Sequence, residues 1–446
     1  MQSAPRARTA RMPLLDLASQ SHERARWPTA SSWWAWLRCC QWPGIFAVVQ
    51  GKFRSWPVLA AHYLHREVVR FRLRNAVTWP SSAPPLADGC TAIIGMCHRL
   101  PGVMLSNLKC LRAASWPELQ HIVVAVDGPA GCVSDTLERQ MLDLSTPELT
   151  IEIHYYSKEQ AALATSLELP FVYSWMSWSI ALAHCRTRYA LVQDYDALVF
   201  GDTLRRRYEE MVRSGAAIQG IRWYQGNGIE PRDHLATTFE AFVDVAWLRA
   251  QPPLAAFHKV SFVDGASRDY DTMLHLQHVH TPAERRTTMA MPEESLVHPS
   301  QMIHQYTMFR RNPGAVQPCG SLPMIPLFEF LSGDAAAIGR AAGRLAGSSR
   351  KVYRFLGDDT DANLTELKLA HVEWILKQMA HACLSMHVPP LGDVFLYGEA
   401  LYEVIGVAAP GRWVGDFTGA QRSWLDECRR LAEHGEADAA PRAAAP

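Results

Sequence analysis

The sequence predicts an α/β protein, and the pattern of residues 90–200 carries that prediction. Short apolar runs of strand length alternate there with stretches of helical spacing, and several of the runs end in aspartate. The order strand, helix, strand, strand, helix, strand is typical of a sheet with right-handed crossovers. A composition of 48% hydrophobic and 20% charged residues is that of a globular chain and excludes a disordered or fibrous one.

Each predicted element follows from a local pattern of apolar residues. The second and fourth strands end in carboxylates, Asp127 in the former and Asp194 with Asp196 in the latter. The predicted elements are, in chain order, the strand "CTAIIGMCH" (90–98), the helix "PGVMLSNLKCLRAAS" (101–115), the strands "HIVVAVDG" (121–128) and "LTIEIHYYS" (149–157), a helix through "WMSWSIALAHC" (175–185) and the strand "YALVQDYD" (189–196).

Composition divides the whole chain into four regions, one of which contains the block 90–200. A Pro-rich stretch at 78–89 indicates a linker, and "DANLTELKLAHVEWILKQMAHACLSM" (361–386) indicates a long amphipathic helix. The predicted regions are a basic Trp-rich helical segment (1–77), a catalytic α/β domain (89–325), a mostly helical C-terminal region (326–434) and a disordered tail (435–446).

Charge is unevenly distributed, although the net charge is zero. Residues 1–75 carry twelve Lys/Arg against three Asp/Glu, and they hold six of the fifteen tryptophans. The segment "SSWWAWLRCCQWPGIFAVVQ" is interrupted by polar residues, so it predicts neither a membrane span nor a cleavable signal peptide. Two interpretations stay open, peripheral contact with a membrane surface and helices packed on the main domain. Ten cysteines without a C-x-x-C pair favour a reducing compartment, so we expect a cytoplasmic protein, peripheral at most.

The three aspartates are expected at one edge of the sheet, because ligands gather at the carboxyl ends of parallel strands. In Asp-x-Asp spacing on an extended strand, Asp194 and Asp196 would point to the same side. Two neighbouring carboxylates repel unless a cation lies between them, and Mg²⁺ or Mn²⁺ prefers such oxygen ligands. We therefore expect a divalent-metal site that holds a diphosphate; the alternative is a pair of ordinary turn residues.

Residues 90–200 resemble the nucleotide-binding half of GT-A glycosyltransferases, especially the family-2-like group. The likeness lies in "TAIIGMCHRLPGVMLSNLKCLRAAS", in "IVVAVDGPAG" and in "QDYDAL", which occur in the family's order and rough spacing. This sequence departs from the family at His98, where Asn is common, and at "VDGPA" in place of Asp-Asp-Gly-Ser. The resemblance implies a GT-A (Rossmann-like) mixed sheet flanked by helices.

The resemblance also implies an activity, the transfer of a sugar from a UDP-, GDP- or dTDP-sugar to an acceptor hydroxyl in glycan or glycolipid biosynthesis. The acceptor would be a glycan or a lipid-linked molecule, and no nucleic-acid-binding motif is present. The implied donor-binding residues are His98, Arg99, Asp127, Asp194 and Asp196, with Mn²⁺ or Mg²⁺ on the last two.

Downstream, "VDGASRDYDTMLHLQ" is similar to the family's general-base motif, which implies catalytic roles for Asp269 and Asp271. A helix N-terminal cap cluster is the alternative there, and Asp264 is a second candidate base. The family sometimes completes the metal site with histidine, which implies His298 or else His304. Upstream of the general-base motif, "IRWYQGNG" (221–228) offers Trp223 and Tyr224 as stacking surfaces or as packing residues.

Two other functional classes fit parts of the sequence. A haloacid-dehalogenase-like phosphohydrolase would use Asp194 as nucleophile and the later acidic group Asp358, Asp359 and Asp361, but it leaves residues 90–128 unexplained. A GT-A-like module could also bind a nucleotide sugar without turning it over. A sugar-nucleotide pyrophosphorylase should show a Gly-rich, Lys-bearing loop, which "GMCHRLPG" does not provide.

Overall fold

The computed structural model describes residues 53, 55–80, 85–223, 226–292, 294–312, 320–346, 352–353, 362–408, 413 and 415–434. Its strands are β1 (Ala87–Met96), β2 (Leu119–Val126), β3 (Thr150–Tyr155), β4 (Thr187–Gln193), β5 (Leu198–Val199), β6 (Ile218–Arg222), β7 (Ala236–Asp244), β8 (Lys259–Val263), β9 (Ala266–Tyr270), β10 (Arg286–Met289), β11 (Leu296–Val297), β12 (Val352–Tyr353) and β13 (Ala362–Asn363). Its helices are α1 (Trp56–Leu73), α2 (Met104–Ala113), α3 (Asp135–Leu142), α4 (Lys158–Leu167), α5 (Pro170–His184), α6 (Thr203–Ser214), α7 (Val245–Arg249), α8 (Leu274–His280), α9 (Met302–Arg311), α10 (Ile325–Ser332), α11 (Ala337–Ala346), α12 (Leu369–Ser385), α13 (Gly392–Val404) and α14 (Gly419–Glu433).

Seven strands form one mixed sheet in the order β10-β6-β7-β4-β1-β2-β3. The four strands β3, β2, β1 and β4 are parallel neighbours, so their carboxyl ends share one edge. Strand β7 is antiparallel to both β4 and β6, and β10 is parallel to β6. The aspartates that were predicted at a sheet edge, Asp127, Asp194 and Asp196, directly follow strands β2 and β4 of this parallel half.

Helices cover both faces of the sheet, because alternate residues of each strand are apolar and buried. On β1, Ala92 and Ile94 enter the core that α2, α6 and the C-terminal helices cover, whereas Ile93 enters the core beneath α5. This three-layer arrangement, with the long helices α12, α13 and α14 in the C-terminal region, confirms the predicted α/β fold class with a mixed sheet and a mostly helical C-terminus.

The predicted elements differ from the structure mainly at their ends. Strand β1 begins at Ala87, inside the stretch taken as a linker, and the predicted helix 361–386 begins only at Leu369. Residues 362–363 instead form β13, which pairs with β12. The segment "SSWWAWLRCCQWPGIFAVVQ" and the tail 435–446 lie outside the described residues, and the bounds of the four predicted regions remain predictions.

The C-terminal helices pack directly on the sheet's helices. The backbone N–H of Ser106 in α2 donates to Ser332 Oγ at 2.9 Å. Lys109 Nζ, one turn along α2, donates to the carbonyls of Leu331 and Ser332 at 3.1 and 2.9 Å. These contacts at the C-terminal end of α10 fix α2, which in turn holds the acidic turn described below.

Candidate metal and nucleotide site

Asp194 and Asp196 lie in a tight turn directly after β4. The strand ends at Gln193, and the N–H of Ala197 donates to the Asp194 carbonyl at 3.1 Å. The sequence reasoning placed the pair on an extended strand, and that is wrong, because the chain reverses within these four residues. The turn nevertheless directs both carboxylates toward the same imidazole, that of His298.

His298 reaches the acidic turn through two very short strands. Strand β11 pairs antiparallel with β5, so Val297 lies opposite Leu198. The next residue along, His298, therefore stands beside the turn, with Nε2 3.4 Å from Asp194 Oδ2 and 3.6 Å from Asp196 Oδ1. One ligand atom from each of the three side chains lies within 4.8 Å of the others.

The cluster is electrostatically poised for a cation. Burial raises the pKa of Asp196 to about 7, an effect that His298 opposes and Asp194 reinforces. Burial lowers the pKa of His298, but its hydrogen bond with Asp194 and the neighbouring carboxylates outweigh that effect and raise it. Two carboxylates and an imidazole are donors that fit a divalent cation, whose charge would relieve this crowding.

A single buried amide clamps the acidic turn from behind. Asn107 of α2 is fully buried, and its Nδ2 lies 3.1, 3.2 and 2.8 Å from the carbonyls of Asp194, Tyr195 and Ala197. Gln193 Nε2 also donates to the Ala197 carbonyl at 2.8 Å. Asn107 was not predicted as a site residue, although a polar residue on the apolar stripe of a predicted helix is a signal of such a role.

Phe239 of β7 supports two members of the cluster at once. Its ring stacks on the His298 imidazole at 4.3 Å between centroids, with 24° between the planes. Its carbonyl accepts the Asp194 N–H at 2.8 Å. The next residue, Glu240, is buried and ion-paired with Arg207 of α6, and burial raises its pKa against the effect of that arginine. These residues were also missed, because the contacts join distant parts of the chain.

Two of the predicted donor-binding residues, His98 and Asp127, lie at the ends of neighbouring strands. His98 follows β1 and Asp127 follows β2; both the N–H and the Nδ1 of His98 contact Asp127 Oδ1, at 2.7 and 2.6 Å. The Asp127 side chain is 12% exposed. The Arg99 carbonyl accepts the Tyr306 hydroxyl at 3.0 Å, which ties this loop to α9.

The two predicted catalytic aspartates lie on and just after a hairpin formed by β8 and β9. Asp269 is in β9, not at a helix N-terminus, and its Oδ2 is 3.6 Å from Arg66 Nη2 of α1. Asp271, just after β9, is half-buried and pairs with His258. Burial would raise the pKa of Asp271, but the charge and hydrogen bond of His258 outweigh it and lower that pKa.

The other candidates from the sequence fall outside the Asp194–Asp196–His298 cluster. Asp264 lies at the hairpin turn and pairs with His278 at 3.2 Å. His304 is in α9 and is not a member of the cluster. Trp223 packs with Ile229 and Tyr270 in a small core, which favours the packing interpretation. The phosphohydrolase motif at 358–361 is outside the described residues.

Fold and site together define the class, an α/β protein with a mixed sheet whose parallel strand β4 leads into a candidate divalent-metal cluster. No family model and no curated protein matches the sequence.

Solved structures similar to the chain include TarS 1–349 from S. aureus, with 12% identity, a TM-score of 0.32, and coverage of 78% of this chain and 92% of that one. The mannosyltransferase PcManGT from Pyrobaculum calidifontis, in complex with GDP-Man and Mn²⁺, has 14% identity, a TM-score of 0.27, and coverage of 74% and 95%. Core-mannan synthase A from Aspergillus fumigatus, in its Mn/GDP form, has 9% identity, a TM-score of 0.26, and coverage of 38% and 63%. These likenesses concern the fold alone, and no residue role is transferred from them.

Within the described residues, no helix has both the length and the apolar character that crossing a bilayer requires.

Proposed function

We propose that the chain is a metal-dependent glycosyltransferase that moves a sugar from a nucleotide-diphosphate sugar to an acceptor hydroxyl. The observation that supports it most is the convergence of Asp194, Asp196 and His298 at the carboxyl edge of the parallel strands. That edge is where open α/β sheets bind nucleotides. Glycan and lipid-linked molecules are the acceptor classes that we propose.

Each proposed role follows from a residue's contacts. Asp194, Asp196 and His298 would hold Mn²⁺ or Mg²⁺, which as a Lewis acid neutralises a departing diphosphate. Asp127 would meet the nucleobase through Oδ2, because Oδ1 already accepts from His98. His98 thereby orients the Asp127 carboxylate. Arg99, beside it, would balance phosphate charge.

The acceptor requires a group that takes its proton, and Asp271 suits that role better than Asp269. Asp271 is half-exposed, so an acceptor can reach its carboxylate, and it is ionised at neutral pH as a proton acceptor must be, although the pair with His258 lowers its pKa and so makes it a weaker base. His258 would orient its carboxylate, as a partner that fixes a general base commonly does. Asp269 is 3% exposed and lies against Arg66, so we propose that it supports the hairpin beside the base.

A panel of UDP-, GDP- and dTDP-sugars tests this proposal. In the presence of Mn²⁺, the protein should release the nucleotide diphosphate slowly from one of these donors, and Asp194→Ala should abolish the release. Asp202→Ala is the matched control, because Asp202 is an exposed acid nearby whose partner is Arg206 of α6. The control should retain full activity.

The same variants distinguish the other functional classes. Hydrolysis of an aryl phosphate that is lost in Asp194→Ala, without any release from the nucleotide sugars, would identify a phosphohydrolase. Thermal stabilisation by a nucleotide sugar without turnover would identify a binding module. Either result would contradict the proposed transferase.

A further inference from the structure

Helix α1 is held rigidly by one of its faces. Val69 and Leu73 are 2% and 1% exposed and belong to the core beneath the sheet. Arg70 Nη1 donates to the carbonyls of Phe257 and His258 at 3.3 Å each. Arg66 lies against Phe171, with its guanidinium carbon 4.0 Å from the ring centroid. These contacts fix which side of the helix faces outward.

The outward side of α1 is an apolar stripe. Five of the thirteen exposed large apolar side chains in the described part of the chain lie on this helix, between 38% and 64% exposed. Their spacing places them on a single arc of the helix, opposite the buried face. They are Trp56, Tyr63, Leu64, Val68 and Phe71, which we call the α1 stripe.

Positive charge accompanies the α1 stripe. Arg72 and Arg74 are exposed at its C-terminal end, and the Arg74 guanidinium carbon lies 3.7 Å from the Phe71 ring centroid. The chain up to residue 75 carries twelve Lys/Arg against three Asp/Glu. A rigid helix with Trp, Tyr and Leu on one arc and arginines at its border has the composition of an interfacial helix on anionic lipid.

We propose that the α1 stripe is a docking surface for an anionic lipid bilayer, on which the protein rests peripherally. Charge complementarity favours anionic lipid, because the exposed Arg72 and Arg74 border the apolar arc and the chain up to residue 75 carries twelve Lys/Arg against three Asp/Glu. This proposal is independent of the transferase activity.

Vesicle co-sedimentation of the full chain tests the docking surface. The probes are vesicles of phosphatidylcholine alone and of phosphatidylcholine with phosphatidylglycerol. The protein should sediment with the mixed vesicles, and Leu64→Ser/Phe71→Ser should reduce binding by about tenfold or more, because both side chains would otherwise enter the acyl boundary. Deleting residues 1–78 is not a suitable test, since it would remove Val69 and Leu73 from the core.

Val212→Ser in α6 and Leu396→Ser in α13 are matched controls, because each replaces a side chain that is 46% or 41% exposed on another helix. Binding that both controls retain and the α1 variant loses supports the proposal. The proposal is overturned if the α1 variant binds the mixed vesicles as well as the wild type does, or if the wild type does not sediment with them. It is also overturned if the wild type binds equally well with and without phosphatidylglycerol. A dimer in sedimentation velocity that Leu64→Ser/Phe71→Ser dissolves would also overturn it and identify a second copy as the occupant.

Discussion

Replacing Asn107 should weaken metal binding although its side chain lies behind the proposed ligands. Its amide contacts three carbonyls of the acidic turn, at Asp194, Tyr195 and Ala197. In Asn107→Ala the Asp194 carbonyl keeps the Ala197 N–H, and the Ala197 carbonyl keeps Gln193 Nε2. The Tyr195 carbonyl loses the contact that held it.

The expected changes in stability and in metal affinity follow from which of these hydrogen bonds are kept and which are lost. One buried carbonyl without its donor, together with the lost hydrogen bonds, predicts a free energy of unfolding lower by about 2–3 kcal/mol. Removing a group that orients a metal ligand typically costs about 10- to 100-fold in metal affinity, so we expect the Kd for Mn²⁺ to rise at least about tenfold.

Ser106→Ala is the matched control for Asn107→Ala. Ser106 is the adjacent residue of α2, equally buried, and its hydroxyl donates to the Val103 carbonyl at 2.6 Å without touching the turn. It should lose about 1 kcal/mol of stability and keep its Kd for Mn²⁺. Calorimetric titration with Mn²⁺ and urea unfolding measure both quantities. If Asn107→Ala loses stability but keeps its affinity for Mn²⁺, Asn107 does not position the metal-binding turn.

Four further predictions use the site's electrostatics and its proposed base. Affinity for Mn²⁺ should rise as pH increases through about 7, because the ion displaces protons that Asp196 and His298 hold; titrations in buffers of different ionisation enthalpy would show this proton release. The metal-free protein should lose stability between about pH 4 and pH 7, since Asp196, whose pKa is raised on folding from 3.8 to about 7, binds more protons in the native state than in the unfolded chain over that range; unfolding curves at several pH values check the sign. Arg207→Met should destabilise the fold by about 3 kcal/mol or more by leaving Glu240 buried without its partner, and adding Glu240→Gln should recover most of the loss in urea unfolding. Asp271→Asn should lower kcat for transfer by about 100-fold or more with the donor KM unchanged, and a normal kcat would exclude it as the base.

The parallel strands were predictable because each is a continuous apolar run, and the acidic ends of β2 and β4 marked the edge where the site lies. The tight turn at Asp194 was not predictable, since it is held by hydrogen bonds with residues distant in the chain, Asn107 on α2 and Phe239 on β7. The pairing of β5 with β11 was equally hidden. Each of these strands has only two residues, and about a hundred residues separate them. No local sequence pattern therefore predicts that they pair.

The hairpin of β8 and β9 was missed although its signal is in the sequence. Asp264 and Gly265 separate the strands, and both have positive φ, 50° and 76°. An Asp-Gly pair in a two-residue loop between extended runs favours a hairpin turn of this type. Recognising it would have placed Asp269 in a strand from the outset.

In the proposed mechanism, Asp194, Asp196 and His298 hold a divalent cation that recruits a nucleotide diphosphate. Calorimetry of UDP and GDP binding, with Mn²⁺ and with a chelator, tests it most directly. We predict metal-dependent binding of one nucleotide by the wild type and by Asp202→Ala, and its loss in Asp194→Ala and Asp196→Ala with cooperative unfolding retained. Nucleotide affinity that is unchanged in both substituted proteins, or unchanged by the chelator, would contradict the claim.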